Sequence, residues 1–264
     1  MINSLWIGAV GMSAQQTNID IISNNLANVN TTGYKKSRAE FEDLIYQKIQ
    51  MASTPIMDET ITPVPIQIGY GAKVAATQKI FAQGALQNTG IPTDVAIMGE
   101  GFFRVQLYDG SFAYTRDGSF KVDSNGQLVT SQGYRLIPEV ILPEGFQYEE
   151  INITPDGRIF AKVAGNDTPI PVGQIQLFRF TNNAGLEAVG ENLFKETQAS
   201  GPSIPGTPGS AGFGSVHQGY VEMSNVNTVE AMVNLIVAQR AYEFNSKSIT
   251  TADSLLQTAI GMKR

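Results

Sequence analysis

Two carboxylates near the middle of the chain are close enough in sequence to suggest acid–base chemistry. Asp117 and Asp123 could form the carboxylate pair that glycoside hydrolysis requires. Both residues belong to turn-rich strands, however, where aspartate commonly stabilises the turn itself. His217, the single histidine, is the one candidate for a histidine-based triad, but it stands in the glycine-rich stretch GFGSVHQGY. A turn or surface histidine is the simpler interpretation.

Three further patterns resemble ligand-binding motifs, and each lacks a required residue. MGEGFFR would need a third glycine at Arg104 to match a dinucleotide-binding fingerprint. GYGAK lacks the spacing of a phosphate-binding loop. KVDSNGQLVTSQ has Gly126 where a calcium loop needs it, but Lys121 and Gln132 occupy the first and last ligand positions. We therefore predict no catalytic, cofactor-binding or metal site, and expect that the chain is not an enzyme.

Composition narrows the classes of function further. The 264 residues, 42% apolar and 16% charged, are typical of one large globular domain or two of ordinary size. The chain contains no cysteine and one histidine, which excludes disulfides, thiolate metal sites and a multi-histidine metal site within one chain. A net charge of −6 without a dense basic cluster argues against nucleic-acid binding.

The N-terminal stretch MINSLWIGAVGMSAQQTNID has the wrong composition for a cleaved secretory signal peptide. It contains no basic residue, and the first positive charge of the chain is Lys35. Nowhere does an apolar run reach the ~20 residues that a membrane-spanning helix needs. We therefore expect no membrane insertion.

A heptad pattern between Thr228 and Ala259 dominates the C-terminal part of the chain. Its larger members are the candidate assembly residues Leu235, Tyr242, Ile249 and Leu256, and smaller residues such as Ala and Asn occupy the positions between them. This spacing predicts coiled-coil-like packing. A second stripe runs beside this seam, at Val233, Val237, Phe244, Ser248, Thr251, Leu255 and Met262. Two adjacent stripes indicate that the helix has more than one neighbour.

The same spacing occurs near the N-terminus, between Ser4 and Asn28. The candidate assembly residues here are Leu5, Met12, Ile19 and Leu26. Asp20 is the only charged side chain between Met1 and Tyr34, which predicts a helix crowded on most sides. Glycines at 8 and 11 allow another backbone to approach closely. We expect both chain ends to be largely disordered in a free monomer and to fold on assembly.

The central part of the chain has the alternating pattern of β-strands. Strand-like runs include DVAIM, FFRVQL, SFAYT, SFKV, QLVT, YRLI and QIQLFRF. Asx-Gly pairs at 109–110, 117–118, 125–126 and 156–157 predict hairpin turns of type I′ and therefore a β-meander. Proline and glycine crowd residues 200–214, which predicts a linker without helix or strand.

Together these patterns predict an α+β fold. Long terminal α-helices would form a coiled-coil-like core domain from residues 1–71 and 215–264, with a proline-containing extended connector at 52–71. A central, mainly-β domain would span residues 72–199, followed by the Pro/Gly-rich linker at 200–214. From the patterns alone, a long surface helix or a buried core helix of a globular enzyme remains an alternative.

Several stretches together resemble the flagellar rod and hook protein family. They are SNNLANVNTTGYKK, DVAIMGEGFFRV, YTRDGSFKVDSNGQLVTSQGY and GYVEMSNVNTVEAMVNLIVAQRAYEFNSKSITTADSLL, and the resemblance extends over nearly the whole chain. The signature positions near the N-terminus are Asn24, Asn25, Asn28, Gly33 and Tyr34. MINSLWIGAVGMSAQQTN, FEDLIYQKI and GENLFKETQASG are most similar to the distal rod branch, and the large central region of hook proteins is missing.

The resemblance implies a structural subunit of the distal rod that polymerises into a hollow helical driveshaft and transmits torque from motor to hook. The terminal helices would pack around a central export channel, and the β domain would form the outer layer. Implied partners are further copies of the chain, proximal rod proteins, the hook protein, the P-ring and L-ring proteins, and the flagellar type III export apparatus. The implied location is the basal body, across the periplasm toward the outer membrane, reached without a cleaved signal peptide.

Two alternatives belong with this hypothesis. Within the family, the chain could be a proximal rod or hook subunit, and the segment at 52–71 resembles the insertion of distal rod proteins that is thought to straighten the rod. Outside the family, a carbohydrate-binding β protein with oligomerisation helices would need an aromatic sugar platform or a carboxylate pair. The lone tryptophan, Trp6, lies in a terminal helix instead.

Overall fold

The computed structural model describes residues 2–50, 55–57, 60–61, 65–143, 145–163 and 168–262. Two long helices, α1 (Ile2–Ala27) and α2 (Thr228–Gly261), flank a region of strands and two short 3-10 helices, Tyr148–Glu150 and Asn183–Gly185. The strands are β1 (Ser37–Asp43), β2 (Tyr46–Gln50), β3 (Pro55–Met57), β4 (Thr60–Ile61), β5 (Ile66–Gly69), β6 (Ala72–Lys79), β7 (Leu86–Asn88), β8 (Val95–Met98), β9 (Phe103–Gln106), β10 (Phe112–Thr115), β11 (Lys121–Val122), β12 (Leu128–Val129), β13 (Arg135–Ile137), β14 (Asn152–Ile153), β15 (Arg158–Ala161), β16 (Ile170–Gln174), β17 (Leu177–Arg179), β18 (Glu187–Gly190), β19 (Leu193–Lys195), β20 (Ile204–Gly206), β21 (Ser215–Gln218) and β22 (Tyr220–Glu222). This architecture confirms the predicted α+β fold class.

The chain divides into two compact units. The first, the helical unit, comprises Met1–Ala27, Ser37–Gln78 and Asn227–Arg264. The second, the β unit, comprises Asn28–Lys36 and Lys79–Val226. Residues 215–226, which the sequence patterns group with the terminal helices, therefore lie in the β unit.

Within the helical unit, α1 and α2 pack against each other along small residues. Ala14, Ala231, Ala238 and Ala252 are buried. A Cβ atom on Gly8 would come within 2.8 Å of the Ile249 side chain, and one on Gly11 within 3.0 Å of the Asn245 side chain. The predicted close approach at both glycines is confirmed. The Asn227 side chain caps α2 by accepting hydrogen bonds from the backbone N–H groups of Val229 and Glu230, at 3.0 and 3.3 Å.

A two-stranded antiparallel ribbon completes the helical unit. Successive pairs β1–β6, β2–β5 and β3–β4 form it. Backbone hydrogen bonds from Leu44 to Gly71 (2.8 Å) and from Tyr70 to Ile45 (3.2 Å) continue the ribbon between the first two pairs. Parts of the connector predicted at 52–71, namely residues 52–54, 58–59 and 62–64, lie outside the described residues. Its described residues include β3, β4 and β5, so they belong to the ribbon.

The β unit is built around a seven-stranded sheet with the order β11-β12-β13-β9-β10-β19-β18. β9 and β10 form a hairpin, and β11 to β13 form a meander that returns to pair with β9. The prediction of one continuous meander is therefore wrong at β10, which pairs with β19 rather than with β11. Residues such as Val95, Ile97, Phe103, Leu136 and Ile159 are fully or almost fully buried in the main core. Val95 and Ile97 lie in β8 and Ile159 lies in β15, so strands outside the seven-stranded sheet also contribute to this core.

Three of the four Asx-Gly pairs lie at hairpin turns. Gly110, Gly126 and Gly157 have positive φ angles of 81°, 74° and 78°, whereas the residue before each glycine does not. These turns therefore differ from the expected type I′, in which both central residues have positive φ. The pair at 117–118 is a further correction. Its glycine lies tightly against the backbone of Val95, where a Cβ atom has no room.

The proline- and glycine-rich segment 200–214 also differs from the expectation of a linker without strand structure. Within it, β20 pairs antiparallel with β17 in a two-stranded sheet, with Pro205 opposite Phe178. Proline is tolerated at this position because an edge strand can leave one side of its backbone without a strand partner.

Candidate functional site

Large apolar side chains cover much of the surface of α2. The second stripe predicted from the sequence is exposed: Val233, Val237, Phe244, Leu255 and Met262 each keep more than half of their surface accessible. Further exposed apolar residues of α2 are Val229, Met232, Ile236 and Ile260. An apolar surface of this extent is typical of a protein interface, because monomers rarely expose one.

The predicted assembly residues of the seam are more covered than this stripe. Leu5, Met12, Ile19 and Leu26 are half-buried in α1. In α2, Leu235, Ile249 and Leu256 are half-buried, and Tyr242 is 37% exposed. The helical pair therefore covers one narrow seam and leaves the second stripe open.

A shallow groove of about 430 Å³ follows the open side of the helical pair. Apolar and small side chains line it, together with one lysine: Ser4, Phe244, Lys247, Ser248, Thr251, Ala252 and Leu255. Its lining is continuous with the exposed stripe. The shape of this groove suits the binding of a helix from another molecule.

The ribbon has apolar side chains on its surface as well. Ile45 is 81% exposed and Ile49 60%, and Tyr46, Ile66 and Ile68 are between 43% and 51% exposed. A two-stranded ribbon is at best marginally stable alone in water. These side chains therefore form a second candidate contact surface.

The signature residues lie around the end of α1. Asn25 is buried, and its side chain both donates to the Ser37 carbonyl (2.7 Å) and accepts from the Ser37 N–H (2.8 Å). Asn24 is exposed, and Asn28 accepts a hydrogen bond from the Thr31 hydroxyl at 3.2 Å. Asn25 thus fastens the end of α1 to the start of the ribbon.

Within the β unit, Gly33 and Tyr34 are buried residues of a loop at residues 28–36. Gly33 has a φ of +68°, and a Cβ atom there would come within 2.5 Å of the Asp117 backbone nitrogen. Its N–H donates to the Glu222 carbonyl at 2.7 Å. Tyr34 is buried, with the Lys79 ammonium 5.1 Å from the centre of its ring. Only glycine meets both requirements at position 33.

Lys35 of this loop belongs to a buried group of three charged side chains, together with Arg116 and Glu222, which we call the ion cluster. The Lys35 ammonium donates to Glu222 Oε1 at 2.6 Å and to the Ala82 carbonyl at 2.8 Å. Arg116 Nη1 is 3.6 Å from Glu222 Oε2, and Arg116 Nη2 donates to the Gly99 carbonyl at 2.7 Å. None of the three side chains is more than 5% exposed.

The electrostatics of the ion cluster follow from its burial. Desolvation lowers the pKa of Lys35, and the negative charge of Glu222 opposes this effect. Burial likewise lowers the pKa of Arg116. Both cations lie near one carboxylate, so Glu222 is their shared counterion, and Glu100 adds a weaker attraction for Arg116.

The sequence patterns did not identify Lys35, Arg116 or Glu222 as functional residues. Each of them nevertheless lies in a stretch that resembles the flagellar family: TTGYKK, YTRDGSF or GYVEMSN. Glu222 is also the only Asp, Glu, Lys or Arg between Glu196 and Glu230. An isolated charge in a long uncharged stretch was the available signal.

The residues first considered for chemistry have structural partners in the described part of the chain. The Asp117 carboxylate accepts hydrogen bonds from the N–H and hydroxyl of Ser119 within its own turn. Asp123 interacts with Ser124 and Asn125 at the β11–β12 turn. His217 lies in β21, with Nε2 3.3 Å from the Ser215 hydroxyl. Among the described residues no group of His, Cys, Asp or Glu could hold a metal ion, and no helix is long and apolar enough to cross a membrane.

The geometry of Gly33 leads to a stability prediction. Gly33→Ala would force a left-handed conformation on alanine, at about 1–3 kcal/mol, and would also push Cβ into the backbone of residues 116–117. Gly90→Ala is the matched control, because Gly90 has a φ of +67° with no atom within 4 Å of the new Cβ. Urea unfolding should show a clearly larger loss of stability for Gly33→Ala. Equal losses would mean that the tight contact at residue 33 is unimportant.

Comparison with known proteins gives a consistent set of relatives. Three family models match: "Flagella basal body rod protein" over residues 5–35, "Flagellar hook protein FlgE/F/G D1 domain" over 96–161, and "Flagellar basal body rod FlgEFG protein C-terminal" over 217–262. The flagellar basal-body rod protein FlgG of Borreliella burgdorferi is 55% identical over 264 residues, with both chains covered completely. FlgG of Bacillus subtilis is 40% identical over 270 residues, again across both chains. The hook protein FlgE of Helicobacter mustelae is 47% identical, but over only 51% of this chain and 30% of its own length.

Proposed function

Because the chain belongs to the FlgG family of flagellar basal-body rod proteins, whose members are structural rather than enzymatic, we propose that its terminal helices polymerise into a hollow helical driveshaft. The observation that carries this proposal is the exposed second stripe of α2, which the chain's own α1 leaves uncovered. Neighbouring copies would bury it. A head-to-tail contact that does not close gives a helical filament, in which every subunit resists twist through its neighbours.

Two surfaces contribute different contacts to this proposal. The stripe and its groove would accept helices of neighbouring subunits, because the groove is apolar and runs along the helical pair. The ribbon would contact another copy through Ile45, Ile49 and their neighbours. This second contact would stiffen the polymer, which agrees with the straightening role that the family resemblance implies for residues 52–71.

The proposal extends to location and partners. The polymer would lie in the basal body across the periplasm toward the outer membrane, with the helical core from residues 1–71 and 215–264 around an export channel. The β domain at 72–199 would form the outer layer. Its partners would be the proximal rod proteins, the hook protein, the P-ring and L-ring proteins and the type III export apparatus. The full-length match to rod proteins, against a half-length match to a hook protein, supports this assignment.

Charge placed in the stripe tests the proposal. Val237→Asp and Phe244→Asp should abolish rod formation in a flagellated bacterium that lacks its own copy, because each carboxylate would lose water on assembly. The purified variants should unfold at the same midpoint as the parent protein, since both positions are exposed. Rods are counted by electron microscopy of isolated basal bodies.

A matched control variant shows whether the loss of rods depends on the position of the added carboxylate or only on its charge. Gln239→Asp adds the same carboxylate to an exposed polar position of α2 outside the stripe, and it should leave rod formation intact. Normal rods from Phe244→Asp would contradict the proposed role of the stripe.

A further inference from the structure

The chain passes four times between its helical unit and its β unit. These passages follow Ala27, Lys36, Gln78 and Val226. A single passage between two units is ordinarily a flexible point, because few contacts restrain the backbone there. In this chain, the β-unit segments beside three of the passages are bonded to one another.

Asn225 is the centre of these bonds. Its side-chain oxygen accepts from the Lys36 N–H at 2.8 Å, and its side-chain nitrogen donates to the carbonyls of Ile80 (2.8 Å) and Ala82 (3.0 Å). The Ile80 N–H in turn donates to the Lys36 carbonyl at 2.9 Å. One amide side chain therefore joins the segments beside the second, third and fourth passages.

The ion cluster forms a second set of hydrogen bonds between the same segments. Lys35 precedes the second passage, and its ammonium bonds both Glu222, near the fourth passage, and the Ala82 carbonyl, near the third. Glu222 Oε1 also accepts from the Gly84 N–H at 2.8 Å. The bond between Lys35 and Glu222 is buried and the other two bonds are partly buried, so water does not readily replace the Lys35–Glu222 pair when the segments are pulled apart.

We propose that Asn225 and the ion cluster together form a clasp that transmits mechanical load between the chain passages. In this proposal, Asn225, Lys35 and Glu222 are positioning residues. They support torque transmission and do not contact neighbouring subunits. This inference rests on the proposed function, since only a rotating polymer imposes such a load. These hydrogen bonds join the β-unit ends of three passages to one another, so load that enters the β unit through one segment is shared with the other two. A subunit without the clasp would still have its assembly surfaces exposed and could form rods, but it would deform when torque is applied.

The test compares Asn225→Ala with a core variant of matched stability. Ile159→Val removes one methyl group from a fully buried core position away from the clasp, and the two purified proteins are matched by their unfolding midpoints. Each gene replaces the native copy in a flagellated bacterium. Rods are counted by electron microscopy, and swimming speed is measured in media of increasing viscosity. Lys35→Met, which removes the bonds of the ammonium to Glu222 and to the Ala82 carbonyl, serves as a second clasp variant.

We expect cells with Asn225→Ala to form as many rods as cells with the parent protein, but to swim several-fold more slowly at high viscosity. Cells with Ile159→Val should swim as fast as cells with the parent protein. Lys35→Met should give a smaller loss in the same direction. Equal swimming of clasp and core variants would overturn the inference, because the clasp would then only stabilise the β unit. Absence of rods in both clasp variants would also overturn it, by assigning these residues to assembly. Failure of the proposed function itself would be recognised separately, by normal rods in Phe244→Asp cells.

Discussion

Removal of residues 1–27 is expected to abolish polymerisation completely while the β unit stays folded. The deletion takes away α1, so that Ala231, Ala238 and Ala252 of α2 lose the helix that buries them within the chain. The loop at residues 28–36 remains, because it belongs to the β unit. Electron microscopy should find no rods, and near-ultraviolet circular dichroism should retain the signal of the buried aromatic residues.

Single substitutions in the seam should act in the same direction as the deletion. Leu235→Asp or Leu256→Asp places a carboxylate at a half-buried position of α2, where it must either lose water or separate the helices. We expect no rods from either variant and an unchanged unfolding midpoint of the β unit. Normal filaments from these variants would count decisively against the helical seam as the basis of assembly.

Glu222→Gln is expected to cause the second large effect, a loss of about 3–5 kcal/mol of stability, because it leaves two buried cations without their counterion. Lys35→Met should cost much less. It leaves Glu222 paired with Arg116, while the Ala82 carbonyl keeps its bond from Asn225 and the Gly84 N–H keeps its bond to Glu222. Urea unfolding of both variants measures this asymmetry. Equal costs would show that the two cations do not share one counterion.

The same variant has a predictable pH dependence. Glu222 normally raises the pKa of Lys35 against the effect of burial, so its removal should lower that pKa further. Between this lowered value and the ordinary pKa of lysine in the unfolded chain, the unfolded state binds more protons. The free energy of unfolding of Glu222→Gln should therefore rise with pH in this window. A stability that is flat or falls with pH above neutrality would contradict the assigned role of Lys35.

Local patterns were sufficient to predict the two long helices and many of the central strands, but not the ribbon or β20. The three-and-four spacing placed both helices within two residues of their observed ends, because side-chain periodicity is a local property of an amphipathic helix. The order of the strands in the sheet was harder to predict from these patterns. β13 returns to pair with β9, whereas β10 pairs with β19 and not with β11, and such pairing between strands distant in sequence is not a local property.

The exposed stripe and the ion cluster likewise differ in how far local sequence patterns can identify them. The exposed stripe follows from helical spacing, so the sequence alone identifies Val237 and Phe244. It does not identify the ion cluster, because Lys35 and Glu222 are 187 positions apart and neither belongs to a periodic pattern. Its local signal is the isolation of Glu222 in an otherwise uncharged stretch. A pairing over such a distance becomes visible only when the fold brings the segments together.

The central claim is that neighbouring subunits cover the exposed stripe of α2 in the assembled rod. The chain contains no cysteine, so a single Phe244→Cys substitution gives a unique thiol for measuring this cover. The thiol should react rapidly with a bulky maleimide in the unassembled protein, become protected in isolated basal bodies, and react again when the rods are dissolved in denaturant. Equal labelling rates before and after assembly would contradict the claim, because the stripe would then face solvent in the rod.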